Sequence, residues 1–107
     1  MRNIETTRYI LKLVEKENAN KIFKILSNPH VVENLNMNIH TKLKDTLDLL
    51  DDYYNGLQKG EKFPYEILDK KTGEFIGVFL IKLDLFDEDC YEFTIYLDEL
   101  HWGKRNL

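Results

Sequence analysis

Residues 74–83 read Glu-Phe-Ile-Gly-Val-Phe-Leu-Ile-Lys-Leu, and this stretch decides the fold. It predicts a strand that is apolar on both sides. One side carries Phe75, Gly77, Phe79 and Ile81, and the other carries Ile76, Val78 and Leu80. A strand of this kind needs cover on both faces of its sheet. Two amphipathic helices earlier in the chain can cover one face, so we expect a partner or a further part of the fold to cover the second.

Two more strands are predicted beside this one, over residues 63–68 and 91–97. A polar turn at 69–73 separates the first pair, and an acidic loop at 84–89 separates the second. Connections this short join antiparallel neighbours. The C-terminal half of the chain is therefore predicted to be an antiparallel meander with residues 91–97 as an unpaired edge strand.

The N-terminal half is predicted to hold one strand and two helices. Alternation over residues 8–14 predicts the strand, with Tyr9, Leu11 and Leu13 on one side. Residues 16–27 form the first helix, which Pro29 ends. Thr41 is a candidate cap for the second helix, which ends near Lys59 with Gly60 as its stop. Its apolar positions are Leu43, Leu47, Leu50, Tyr54 and Leu57. The chain is thus predicted to be a single α+β domain, ordered β-α-α-β-β-β, with a mainly antiparallel four-stranded sheet and two helices.

Composition excludes several classes of protein. The 107 residues carry 15 Lys and Arg against 19 Asp and Glu, a net charge of −4, which argues against binding nucleic acid through bulk charge. Cys90 has no second cysteine to pair with, and His30, His40 and His101 are scattered, so no metal site is expected. No apolar run reaches the roughly 18 residues of a membrane helix. We expect a cytoplasmic protein with no membrane partner.

Four phrases together resemble one family. They are Ile4-Glu5-Thr6-Thr7-Arg8-Tyr9-Ile10-Leu11-Lys12, Leu26-Ser27-Asn28-Pro29, Asp69-Lys70-Lys71-Thr72-Gly73-Glu74-Phe75-Ile76-Gly77, and Tyr91-Glu92-Phe93-Thr94-Ile95-Tyr96-Leu97-Asp98 followed by His101-Trp102-Gly103-Lys104. Their order and spacing resemble the GNAT-type N-acetyltransferases, especially the branch that includes the ribosomal-protein-alanine acetyltransferases. The resemblance covers the whole chain but only the first half to two thirds of the family's domain. It implies a truncated domain, residues 1–107, that ends inside the acetyl-CoA loop.

The resemblance implies transfer of an acetyl group from acetyl-CoA to a primary amine or a peptide N-terminus. Backbone groups of Ile95, Tyr96 and Leu97 would bind the pantetheine arm of the coenzyme. The loop residues Trp102, Gly103, Lys104 and Arg105 would bind its pyrophosphate. Arg105 and Leu107 depart from the family pattern, which has small residues there because the backbone must approach phosphate closely.

The resemblance also aligns Glu92 with a glutamate of the family's fourth strand, which makes Glu92 the candidate general base, acting on the acceptor amine through water. In the competing interpretation, the Glu92 side chain is solvated or is paired with Lys82. The Tyr96 side chain is expected to form a wall of the cleft. The acidic residues of 48–52 and 84–89 would line an entrance for a cationic amine, or would be solvated surface.

A second hypothesis comes from a different class of protein. The chain would be a non-catalytic relic of the family that associates with itself through its uncovered sheet. This hypothesis predicts a homodimer or a domain-swapped oligomer.

Overall fold

The computed structural model describes residues 3–33, 35, 37–84, 86 and 90–98. Its strands are β1 (Ile4–Glu5), β2 (Tyr9–Leu13), β3 (Lys62–Asp69), β4 (Phe75–Leu83) and β5 (Tyr91–Leu97). Its helices are α1 (Ala19–Leu26), α2 (Pro29–Val32) and α3 (Leu43–Gln58), and a 3₁₀ turn at Lys16–Asn18 precedes α1.

The five strands form one sheet in the order β1-β2-β3-β4-β5, and every neighbouring pair is antiparallel. This confirms the predicted α+β class. The strand that was not predicted, β1, has two residues, too few for an alternating pattern to show. The turn after it is held by Thr6, whose backbone N–H donates to the Tyr9 carbonyl at 2.8 Å and whose Oγ1 accepts from the Tyr9 N–H at 3.0 Å.

The short helix α2 was also not predicted. It begins at Pro29, the residue that ends the preceding helical stretch, and the Asn28 side chain accepts a hydrogen bond from the His30 N–H at 2.9 Å. A proline is favourable in the first turn of a helix, where its missing N–H has no partner to lose. Pro29 therefore ends α1 and starts α2.

The buried stripe of α3 differs from the predicted one. Leu43 and Leu47 are each 37% exposed, whereas the buried positions are Thr46, Leu50, Tyr53 and Gly56. The stripe is rotated because Thr46 contacts His40 and the Lys62 stem lies over Gly56. At the start of α3 the Asp45 carboxylate accepts from the backbone N–H of Thr41 at 3.0 Å. None of the helices in the described part of the chain combines the length and apolar character needed to cross a bilayer.

The core lies between the helices and one face of the sheet. Ile22, Leu26, Leu50, Val78 and Tyr96 are its centre, each no more than 2% exposed. Phe75 packs into the same core, although simple alternation placed it on the opposite side from Val78. The reason is a register shift: Ile67 pairs with Gly77 but Leu68 pairs with Phe75, which leaves Ile76 as an extra residue in β4.

The second face of the sheet is apolar and remains partly open. Pairing places Tyr65, Phe79 and Ile95 in one row across it, and Phe63, Ile81 and Phe93 in the next. Phe93 is 68% exposed and Ile95 is 45% exposed. Phe79 and Phe93 meet edge to face with their ring centroids 5.9 Å apart. The expectation that β4 is apolar toward both faces is therefore confirmed for these residues.

Candidate functional site

A cleft of about 380 Å³ lies on the helix side of the sheet, between α3 and strands β3 to β5. Its apolar lining consists of Leu35, Met37, Leu49 and Leu80, and its polar lining consists of Asp52, Tyr53, Lys62, Lys82, Glu92 and Thr94. Apolar walls with a few polar groups are typical of small-molecule sites. The cleft is therefore the candidate functional site.

The structure places Glu92, the predicted general base, on the wall of this cleft. It lies on β5 beside Thr94, which faces the same space. Its side chain is 61% exposed, and the Lys82 Nζ lies 3.8 Å from its Oε2. The cleft position suits a base, and the neighbouring lysine is the partner named by the competing interpretation. The two interpretations are compatible, because a Lys82–Glu92 distance of 3.8 Å leaves the Glu92 carboxylate accessible.

The Tyr96 side chain lies behind the cleft rather than in its wall. It is 2% exposed, and its hydroxyl lies 2.9 Å from the hydroxyl of Tyr53, which does line the cleft. Burial raises the pKa of Tyr53 to about 12 and raises the pKa of Tyr96 well above its usual value. Both hydroxyls therefore stay protonated at neutral pH.

A row of charged side chains crosses the sheet at one end of the cleft. Lys62 is paired directly with Lys82, and Lys82 is paired directly with Glu92 on the next strand. Lys62 also forms an ion pair with Asp52 of α3. Strand pairing decides this grouping, so no local sequence pattern could have found Lys62.

The backbone of β5 has two different sides near Leu97. The Asp98 N–H donates to the Ile76 carbonyl at 2.9 Å, so even-numbered positions of β5 turn their backbone groups toward β4. The Tyr96 carbonyl agrees with this, because a Cβ added to Gly77 would lie 2.2 Å from it. By the same alternation, Ile95 turns its backbone groups toward the outer edge of the sheet.

The remaining predicted coenzyme residues, Trp102, Gly103, Lys104 and Arg105, lie outside the described residues, as does His101. Cys90 is exposed. Within residues 3–33, 35, 37–84, 86 and 90–98, no group of three or more His, Cys, Asp or Glu is arranged to hold a metal ion.

A second, more open cleft of about 610 Å³ adjoins the first and shares Met37, Leu49 and Asp52 with it. Asp45 and Asp48 line it, whereas Asp51 points elsewhere and pairs with Lys16 at 3.1 Å. Of the acidic residues predicted to form one entrance, the structure therefore brings Asp48 and Asp52 together. Asp87, Glu88 and Asp89 lie outside the described residues.

His40 sits at the edge of this second cleft. Its Nδ1 is 2.8 Å from the Thr46 Oγ1, and burial lowers the pKa of the imidazole. The ring is therefore neutral at pH 7 and serves to join the loop before α3 to the helix.

Comparison with known proteins agrees with this architecture. The model of the acetyltransferase (GNAT) domain family matches residues 8–106. Comparison with curated proteins finds no significant match. Among solved structures, the chain is similar to RimL, described as a ribosomal L7/L12 alpha-N-protein acetyltransferase in complex with coenzyme A, with a TM-score of 0.77 and 16% identity over 96% of this chain and 59% of that one.

Two further structures share the fold. One is a spermidine N-acetyltransferase from Vibrio cholerae in complex with CoA and spermine, with a TM-score of 0.75 and 17% identity over 94% of this chain and 57% of that one. The other is FdhC, described as a nucleotide-linked sugar GNAT, with a TM-score of 0.73 and 17% identity over 92% of this chain and 55% of that one. The chain thus spans between 55% and 59% of the length of these structures. Since the family model covers almost the whole sequence, the chain belongs to the acetyltransferase (GNAT) domain family.

Proposed function

We propose that the chain is the N-terminal part of an N-acetyltransferase that moves an acetyl group from acetyl-CoA to a primary amine or a peptide N-terminus. The observation that carries the proposal is the family match over residues 8–106. The cleft supports it, because Glu92 stands there next to the outer edge of β5. Holding an amine and a thioester together in one site supplies much of the rate of such a reaction.

Acetyl-CoA fits the described part of this site. At the outer edge of β5, Ile95 offers a backbone N–H and C=O to an extended amide chain such as pantetheine, by the same geometry that adds a strand to a sheet. In our proposal Leu97 is the next position at this edge. The backbone of Tyr96, which was expected to bind the coenzyme as well, turns toward β4 and takes no part. Trp102, Gly103, Lys104 and Arg105 would hold the pyrophosphate.

Glu92 is proposed to remove the proton that the acceptor amine must lose. Its carboxylate is accessible from the cleft and can accept the proton through a water molecule. The Tyr53 hydroxyl is buried against the hydroxyl of Tyr96, so Tyr53 contributes to the wall of the cleft and has no role in proton transfer in this proposal.

Calorimetry with acetyl-CoA and an assay for released thiol test the proposal on this chain. Micromolar coenzyme binding together with acetyl transfer to an amine would support it. Absence of binding at millimolar acetyl-CoA would contradict it for this chain.

The Glu92→Gln variant tests the role of the base. We expect the rate of transfer to fall by about 100-fold, since general bases contribute roughly that much or more. Glu17→Gln, which changes an exposed glutamate in the 3₁₀ turn, is the matched control. A Glu92→Gln enzyme with the same rate at every pH would rule Glu92 out as the base.

The open apolar face favours the second candidate, a self-associating relic. The exposed Phe93 and Ile95 on the edge strand would seat a second copy of the chain as a homodimer or a domain-swapped oligomer. Sedimentation distinguishes the candidates when run beside the calorimetry. A stable dimer that binds no acetyl-CoA would favour the relic, and a coenzyme-binding chain would favour the transferase.

A further inference from the structure

We propose that the cleft selects a zwitterionic acceptor, with the acceptor amine near Glu92 and a carboxylate or phosphate of the same molecule between Lys62 and Lys82. This inference rests on the proposed function and deepens it by naming the class of acceptor. Two observations carry it. Strand register places Lys62, Lys82 and Glu92 in one row, and the stem of Lys62 is packed against Gly56.

Two lysines stand side by side at one end of the cleft. Lys62 and Lys82 are direct partners on adjacent antiparallel strands, and both line the cleft. Like charges directly opposite each other on a sheet destabilise it. The pair is bounded on one side by Asp52 and on the other by Glu92, each of which contacts the nearer lysine. An anion placed between the two ammonium groups would relieve their repulsion.

Lys62 is held in place by its surroundings. A Cβ at Gly56 would lie 2.7 Å from both Cγ and Cδ of Lys62, so the lysine stem occupies the space that the glycine leaves on α3. Its side chain is only 22% exposed, and its ammonium group pairs with Asp52. A lysine with its stem packed in this way is a cation of defined position rather than a solvated surface charge.

Lys82 remains available to a ligand. Its Nζ is 3.8 Å from the Glu92 Oε2, which is longer than a hydrogen bond, and its side chain is 46% exposed. An ammonium group has three donors, so it can bind an anion while staying near Glu92.

The spacing suits a short molecule. Lys62 and Glu92 are two strands apart, which separates their backbones by about 10 Å at roughly 4.8 Å for each strand spacing. An anion on the Lys62 side of Lys82 therefore lies a short distance from Glu92, which a chain of a few methylene groups can span. Leu49 and Leu80 supply the apolar surface for that chain. A diamine would instead bring a second cation against two lysines.

Three amines of equal chain length test the inference by direct binding, without acetyl-CoA. They are γ-aminobutyrate, n-butylamine and 1,4-diaminobutane, titrated into the ¹⁵N-labelled chain and followed by NMR. We expect γ-aminobutyrate to bind at least tenfold more tightly than either of the others. O-phosphoethanolamine compared with ethanolamine tests phosphate as the anion.

Lysine variants locate the effect. Lys62→Met and Lys82→Met keep the apolar part of the side chain and remove the charge, and each should abolish the preference for γ-aminobutyrate. Lys71→Met, in the exposed turn at the other end of β3, should retain it. Melting temperatures identify any variant that fails to fold, and Lys82→Met remains informative if Lys62→Met does not fold, because the Lys82 side chain is more exposed.

The inference would be overturned if 1,4-diaminobutane bound as tightly as γ-aminobutyrate, if neither anionic amine bound, or if the preference persisted in both lysine variants. Its failure is separable from failure of the proposed function. If the chain binds acetyl-CoA but prefers the diamine, only the inference of a zwitterionic acceptor is rejected. If the chain prefers γ-aminobutyrate but binds no coenzyme, only the proposed transferase function is rejected.

Discussion

Glu66 is a glutamate in the middle of β3 whose side chain is fully buried. Its Oε2 accepts a hydrogen bond from Asn18, and its Oε1 has no hydrogen-bond partner among the residues that the structure describes. Burial raises the pKa of Glu66 to about 7, while Lys12 on the neighbouring strand opposes the shift and Glu15 adds to it. The folded chain therefore keeps this carboxyl protonated over a pH range in which the unfolded chain ionises it.

Stability is predicted to fall as pH rises from about 4.5 to 7, because the unfolded chain releases the Glu66 proton first. The loss is on the order of 3 kcal/mol, at about 1.4 kcal/mol for each unit of pKa. Glu66→Gln should remove this part of the pH dependence in urea unfolding curves, and the exposed-residue variant Glu33→Gln should not. Curves for wild type and Glu66→Gln that run parallel from pH 4.5 to 8 would refute the prediction.

Gly77 allows β5 to lie close to β4. A Cβ at this position would be 2.2 Å from the Tyr96 carbonyl oxygen and 2.9 Å from the Leu97 Cα. These are backbone atoms, which can move only if the whole strand β5 shifts. Gly77→Ala should therefore reduce the free energy of unfolding by about 1–3 kcal/mol. It should also speed amide exchange in β5.

Gly60→Asn is the comparison for Gly77→Ala. Gly60 has a φ of 72°, no atom of the described part of the chain lies within 4 Å of an added Cβ, and asparagine tolerates this conformation. It should change stability by less than about 1 kcal/mol. Equal effects of the two substitutions would mean that the close approach of β5 is not what makes glycine necessary at position 77.

At the scale of elements, α3 shows how tertiary contacts choose a helix face. Its leucines at 43, 47, 50 and 57 suggest one stripe, but the buried face includes Thr46 and Gly56. Thr46 is buried because its hydroxyl contacts His40, and Gly56 is buried because the Lys62 stem crosses it. Apolar character alone could not distinguish these faces, since leucines occur on both.

Two leucine variants measure this rotation. Leu50→Ala should destabilise the chain by about 2–5 kcal/mol, because Leu50 is fully buried in the core. Leu47→Ala, at 37% exposure, should cost under about 1 kcal/mol. Denaturant unfolding of both variants tests the assignment, and a larger effect at Leu47 would mean that the helix presents its other face to the sheet.

At the scale of the whole molecule, the sheet has a covered face and an open one. The helices and the cleft share the first, while Phe93 and Ile95 stand on the second at the edge strand. Exposed apolar surface of this kind favours association. In the proposed transferase the same face would be available to the rest of the domain, and in the proposed relic it would contact a second copy.

Replacing Phe93 and Ile95 together by threonine should weaken self-association at least tenfold in sedimentation and reduce binding of a hydrophobic dye. Threonine keeps the preference for a strand while removing the apolar area. Leu43→Ser, an exposed leucine on the helix side, is the control. A wild-type chain that is monomeric and binds no hydrophobic dye would contradict the prediction that this face drives self-association.

The sequence by itself determined four of the five strands, the two longer helices and the antiparallel order, because period-two and helical patterns are local properties of the chain. The family was indicated by the resemblance of four phrases in their order and spacing. It also selected Glu92 as a candidate. Only the tertiary structure decided that Lys62, Lys82 and Glu92 form one row and that Asn18 meets Glu66 across 48 positions. Such groupings depend on strand register and on which helix face turns inward, and both are chosen by packing between segments far apart in the chain.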